Sequence, residues 1–368
     1  MSIDMHISSV SGAPGPNRRP RARLSAGLRR FDARPALGLL FCFALGAIAL
    51  MATPLDGSAS LRPRGQMVDI GGRRLRIVCE GPAHSTAPTV LFESGAYGFS
   101  GDWAYSQHDL TLQGVRSCAY DRAGMGLSDA APASEPRDGV NVARDLEKLL
   151  VAAHVPAPYI LVGHSMAGAR VHLFANRNPD KVVGLVLVDS TTPDAMSDPQ
   201  VMKYVTDFTH DTHMAKVTAQ FGILKLLAGT PLGDKVGLPP EEDKEKRAQF
   251  ASASYNRTAY EEVTYWPLAA RQAAATGPLN TDLPVAVVSA GVFDTPEGPR
   301  QQALEPPPAR ASRDGHVEVV AGASHNGLLG ATYHTAIVRG VDFVLNSVRT
   351  HPPQPARPAA TPMQFASR

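Results

Sequence analysis

Two hydrophobic rhythms alternate along most of the chain. Short apolar runs at 73–80, 88–93 ("PTVLFE"), 115–120 ("VRSCAY"), 158–163 ("PYILVG"), 183–189 ("VGLVLVD"), 284–290 ("PVAVVSA") and 315–321 ("GHVEVVA") predict strands. Several are almost continuously apolar, the pattern of strands covered on both faces. Between them the apolar positions shift to helical spacing, as in 139–153 with Val142, Leu146, Leu149 and Leu150, and again in 168–177. Alternating strand and helix predicts an α/β fold with a mostly parallel central sheet and helices on both faces. From about 191 to 281 no good strand occurs, and segments such as "VMKYVTDF", "MAKVTAQFGILKLLAG" and "EEDKEKRAQFASASY" predict a helical cap inserted over the sheet.

The ends follow other patterns. "ALGLLFCFALGAIALMA" at 36–52 carries no charge; as a helix it would reach about 25 Å, against roughly 30 Å for a bilayer core. A transmembrane anchor or signal segment is therefore expected at 36–53, behind a basic disordered leader at 1–35. The length of the leader favours an uncleaved anchor, "GSAS" at 57–60 would suit cleavage, and a buried core helix is a third reading. Residues 54–66, rich in Pro, Gly and Ser, predict a linker before a domain at 67–348, and 349–368 a proline-rich disordered tail.

Charge changes the picture once it is divided. The whole chain of 368 residues carries +2, but seven arginines and only two aspartates precede residue 53. The remainder holds 29 basic and 32 acidic residues, a net of −3, so no nucleic-acid footprint is expected. Arginine ahead of the apolar segment predicts that the leader stays in the cytoplasm and the body lies outside, membrane-anchored or exported. In an oxidising compartment Cys79 and Cys118 could pair; two separately buried thiols are the other reading.

Candidate chemistry centres on "LVGHSMAGAR" at 161–170. Gly163, Ala167 and Gly168 crowd around Ser165, as a sharp strand-to-helix turn requires when it lifts one side chain to its tip. A serine hydroxyl becomes a nucleophile only with a base and an orienting acid. His325 in "GASHNG" follows the last predicted strand, and Asp294 in "GVFD" follows the one before it. They complete the chain order Ser165, Asp294, His325. Asp189, ending the strand at 183–189, is the rival acid, while His164 reads as a packing residue and Asp121 and Asp102 as loop-fixing residues. His210 and His213 lack the spacing of a metal motif.

Taken in order, "CEG" (79–81), "VLFESGAYGFSGDW" (90–103), "CAYDRAGMGLSD" (118–129), "YILVGHSMAG" (159–168), "LVLVDS" (185–190), "GVFD" (291–294) and "GASHNG" (322–327) resemble the α/β-hydrolase fold superfamily, close to its bacterial esterase-like serine hydrolases. Ala167 departs from the second glycine usual in the elbow. The resemblance implies an oxyanion hole from the backbone N–H groups of Met166 and Ala96, and a serine nucleophile argues against the dehalogenase and epoxide-hydrolase branches. The expected function is a serine carboxylesterase acting through an acyl-enzyme on a small-molecule ester, with no cofactor and no metal implied. Peptide hydrolysis at a chain terminus, cofactor-free perhydrolysis and non-catalytic small-molecule binding are the alternatives. Phe208, Phe221, Ile223, Leu224, Leu226 and Leu227 in the cap suggest a hydrophobic acyl pocket.

Overall fold

The computed structural model describes residues 64–83 and 85–352. The predicted leader, the apolar segment at 36–53, nearly all of the linker and most of the proline-rich tail lie outside them. Among the described residues no helix is long and apolar enough to cross a membrane.

All seven predicted strands form, and one more precedes them. The strands are β1 (Gln66–Asp69), β2 (Arg74–Glu80), β3 (Thr89–Glu93), β4 (Ser117–Tyr120), β5 (Tyr159–His164), β6 (Val182–Val188), β7 (Val285–Ala290) and β8 (Gly315–Val320). They make one sheet in the order β1-β2-β4-β3-β5-β6-β7-β8. β1 pairs with β2, and β2 with β4, antiparallel; every pairing from β4 through β8 is parallel. β1 begins inside the predicted linker, at Gln66. It escaped the hydrophobic pattern because it is a four-residue edge strand whose side chains are mostly exposed.

The apolar runs are continuous because alternate residues enter two different cores. Leu91, Leu161, Leu185, Leu187, Val285 and Val287 point to one face. There they meet α2 (Gly139–Ala152), α3 (Ala167–Arg177) and α8 (Trp266–Ala274). Val90, Phe92, Ile160, Val162, Val186 and Val188 point to the other, against α1 (Ala104–Leu112) and α11 (Thr335–Thr350). The Asp138 side chain starts α2 by accepting from Asn141 N–H at 2.9 Å.

Between β6 and β7 the chain builds α4 (Pro199–Gln220), α5 (Ile223–Leu227), α6 (Pro240–Phe250), α7 (Ala253–Thr264) and then α8. Asp198 caps α4 by accepting from Gln200 N–H and Val201 N–H, with Pro199 in the first turn. After β7 come α9 (Gly298–Ala303) and α10 (Pro307–Ala311).

Cys79 and Cys118 are directly opposite each other on β2 and β4 and are bonded as a disulfide. The bond links residues 39 apart, a loop whose closure entropy corresponds to about 4 kcal/mol. Denaturant unfolding with and without reductant should show a loss of that order. An unchanged midpoint would mean the bond adds nothing to the folded state.

Candidate active site

Ser165 sits between the last residue of β5 and the first turn of α3 with φ of 59°, in the left-handed region. A non-glycine residue held there costs on the order of 1–3 kcal/mol and needs firm support. Ser165 N–H donates to Val188 O, while its carbonyl accepts from Gly168 N–H and Thr191 N–H, each at 3.1 Å. The small neighbours are required by close approach. A Cβ on Gly168 would lie 2.5 Å from Thr191 O, and one on Gly163 would lie 3.0 Å from both Val171 methyl groups. Ala167 is fully buried in the first turn of α3, so its methyl group is accommodated there.

His325 lies on the loop after β8. Its Nδ1 is 2.5 Å from Asp189 Oδ2, and the other Asp189 oxygen accepts from Ala290 N–H at 2.8 Å. The carboxylate on His325 is therefore Asp189, and the assignment of Asp294 is corrected. Asp294 stands exposed beyond β7, where Gly291 N–H and Val292 N–H are tied to Val320 O and Ala323 O as the chain leaves the sheet. Asp189 has φ of 45°, a second left-handed turn at a strand end that aims its side chain across the sheet edge. Burial works to raise the Asp189 pKa, but the His325 hydrogen bond and charge and the Ala290 N–H outweigh it and hold the carboxyl below its ordinary value.

His164 is buried beside the serine. Its ring lies 4.4 Å from the His325 ring, and its Nε2–H donates to His325 O at 3.2 Å. Burial, then the charge of His325, pushes its pKa down to about 3, so it stays a neutral donor bracing the His325 loop.

The loop after β3 packs on Ser165 so closely that a Cβ on Gly95 would lie 2.8 Å from the serine Cβ. Ala96 and Met166 share one apolar cluster. Among the described residues neither the Ala96 nor the Met166 N–H has a protein acceptor. Arg122 shapes this loop from below, donating to Ser94 O at 2.7 Å and Gly95 O at 2.8 Å. It also bridges Glu93 on β3 and both carboxylate oxygens of Glu262 on α7. Arg170 on α3 approaches the same two acids, and Tyr120 donates to Glu93. Burial opposes ionisation of Glu262, yet Arg122 and Arg170 hold its pKa down to about 2. Sequence reading missed this network because its members are scattered along the chain. The loop-fixing aspartates do bond loops: Asp121 accepts from Ser100 N–H and Leu127 N–H, and Asp102 from Phe99 N–H and Lys246.

The cap's apolar contribution also differs from expectation. Phe221, Ile223 and Leu226 are exposed around the left-handed turn at Gly222, and Leu224 is buried outside the site cluster. The residues over Met166 and Ala96 are Val201, Tyr204, Val205 and Phe208 on one face of α4, with Val263 and Trp266.

Glu305, on the segment between α9 and α10, was not anticipated at all. It is 2% exposed and accepts from Ser289 Oγ, next on β7 to the Ala290 whose N–H engages Asp189. Burial and then the Asp189 charge push its pKa up to about 9, against the opposing Ser289 hydrogen bond. It is a neutral acid at pH 7.

Comparison with known proteins agrees with this architecture. Residues 88–219 match a family model described as alpha/beta hydrolase fold. The chain is 33% identical over 135 residues to the uncharacterized protein YqjL of Bacillus subtilis, covering 36% of this chain and 50% of that one. It is 36% identical over 129 residues to "Probable transporter efuK" of Hormonema carpetanum, covering 34% of this chain and 18% of that protein. The matches thus span half or less of these curated relatives. Among solved structures, a laboratory-evolved variant of potato epoxide hydrolase superposes with a TM-score of 0.60 at 18% identity, covering 78% of this chain and 100% of that one. An α/β-hydrolase enzyme from a Medee basin deep-sea metagenome library gives a TM-score of 0.56 at 11% identity, with coverages of 76% and 96%. The chain has the α/β-hydrolase fold.

Proposed function

We propose that this chain, with an α/β-hydrolase fold, is a serine hydrolase that cleaves a carboxylic ester through an acyl-enzyme. The observation that carries this reading is Ser165 raised on a left-handed turn, with the preceding His164 against the His325 of a His325–Asp189 pair, the Met166 N–H unengaged on the same turn and the Ala96 N–H unengaged on the facing loop. Asp189 fixes the His325 tautomer with the proton on Nδ1, leaving Nε2 to take the proton of the serine hydroxyl as it attacks the ester carbonyl. The Met166 and Ala96 N–H groups receive the negative charge that develops on the carbonyl oxygen. His325 then passes its proton to the departing alcohol, and water repeats the sequence to release the acid. These groups suffice for the reaction without a cofactor.

The apolar cluster of Tyr204, Phe208, Val263 and Trp266 over Met166 supports a substrate with a hydrophobic part. The disulfide and the apolar segment at 36–53 support placement of the catalytic body outside the cytoplasm, membrane-anchored or exported.

A fluorophosphonate probe tests the reading. Incubation followed by peptide mass spectrometry should place the label on Ser165, and both Ser165→Ala and His325→Ala should abolish it. A folded wild-type protein that does not label would refute the proposal.

A further inference from the structure

Asp189 is engaged by two donors, Ala290 N–H and His325 Nδ1–H, both used by the mechanism above. A second buried carboxyl, Glu305, is held by Ser289, the residue before Ala290. Its segment is fastened from both sides: Gln302 donates to Ala290 O at 2.6 Å, and Thr192 donates to Leu304 O at 3.4 Å. Among the described residues no cation pairs with Glu305. Two buried carboxyls gathered at one strand end with no cation between them resist being ionised together, which favours a proton held there. Asp189 is already engaged by two donors, which favours its anion and leaves the proton on Glu305.

We propose that Glu305 is a positioning residue for the candidate active site: as a neutral carboxylic acid it donates a hydrogen bond to Asp189 and fixes that carboxylate toward His325. The inference rests on the serine-hydrolase reading. Glu305 touches neither the serine nor the histidine and acts only through Asp189. Its proton satisfies Asp189 without adding a second negative charge behind the imidazole, which would overstabilise the imidazolium and oppose return of the proton to the leaving group. The groups that face the pair are Ser289 on β7, His325 after β8, His164 at the end of β5 and Tyr204 on α4, the last two sensing Asp189 through space.

The test compares wild type, Glu305→Gln and Glu305→Ala in the full chain by the rate of fluorophosphonate labelling at Ser165 and by turnover of p-nitrophenyl butyrate, with thermal unfolding recorded for each. Glu305→Gln keeps an uncharged donor and should stay within about threefold of wild type, whereas Glu305→Ala should lose about 10- to 100-fold in kcat with KM little changed, the worth of one hydrogen bond to a charged group. The wild-type rate should also fall as pH rises through about 9, where Glu305 loses its proton, and Glu305→Gln should lack that fall. If Glu305→Ala does not fold, this pH comparison decides. Equal labelling rates in all three proteins, or identical alkaline limbs for wild type and Glu305→Gln, would overturn the positioning role alone. A wild type that neither labels nor turns over would remove the hydrolase reading and this role with it.

Discussion

Asp189→Asn should lower kcat by about 10,000-fold, whereas Asp294→Asn should leave the rate within about twofold of wild type. The asparagine amide fits the same space but presents an N–H, or a weaker acceptor, to His325 Nδ1 and favours the tautomer with its proton on the wrong nitrogen. Asp294 is exposed on the loop beyond β7, and its removal changes nothing that touches His325. Steady-state turnover of a p-nitrophenyl ester separates the two variants, and equal losses in both would return Asp294 to consideration. Stability carries the same information. The folded-state pKa of Asp189 is depressed, so its contribution is present above the ordinary aspartate pKa and is lost as pH falls through the folded value. Asp189→Asn should flatten that acid limb.

Arg122→Met is expected to destabilise the fold by about 3–5 kcal/mol, the cost of leaving one partner of a buried ion pair uncompensated. Arg122 bridges Glu93 and Glu262, so among the described residues its loss leaves Arg170 as the one cation paired with these two buried carboxylates. If the proposed oxyanion role of Ala96 holds, the consequence reaches catalysis, because the same guanidinium holds Ser94 O and Gly95 O and thereby sets the direction of the Ala96 N–H. An oxyanion donor that loses its aim costs about 100- to 1,000-fold in rate. Denaturant unfolding and kcat should therefore fall together in Arg122→Met. In Glu262→Gln, which leaves the Arg122 contacts to Ser94 and Gly95 available, stability should fall more than rate. A rate loss equal in the two variants would mean that the network anchors the cap without orienting the loop.

The two variants divide the site into parts that were readable from the chain and parts that were not. Ser165 was readable because a sharp turn excludes side chains from its neighbours, and Gly163, Ala167 and Gly168 are a local consequence of that contact. The central strands were readable because each buries both faces, so their apolar runs need no knowledge of neighbours, and β8, which alternates exposed and half-buried residues, was readable from its valines. β1 was not, since an exposed edge strand of four residues has little hydrophobic pattern to detect.

By itself, then, the sequence determined the α/β alternation, the cap-sized interval without strands, the serine turn and the histidine after the last strand, all of which depend on residues within a few positions of one another. The tertiary structure decided which acid meets His325, since Asp189 and Asp294 both follow strands and only the left-handed turn at Asp189 and the path of the chain beyond β7 distinguish them. It also decided the partners of Arg122 and Asp189, which are brought together by the fold: Arg122 and Glu262 are 140 residues apart, and Asp189 takes its donors from 101 and 136 residues away. Short-range sterics leave a record in neighbouring residues; a hydrogen bond between distant segments leaves none until the sheet has placed them side by side.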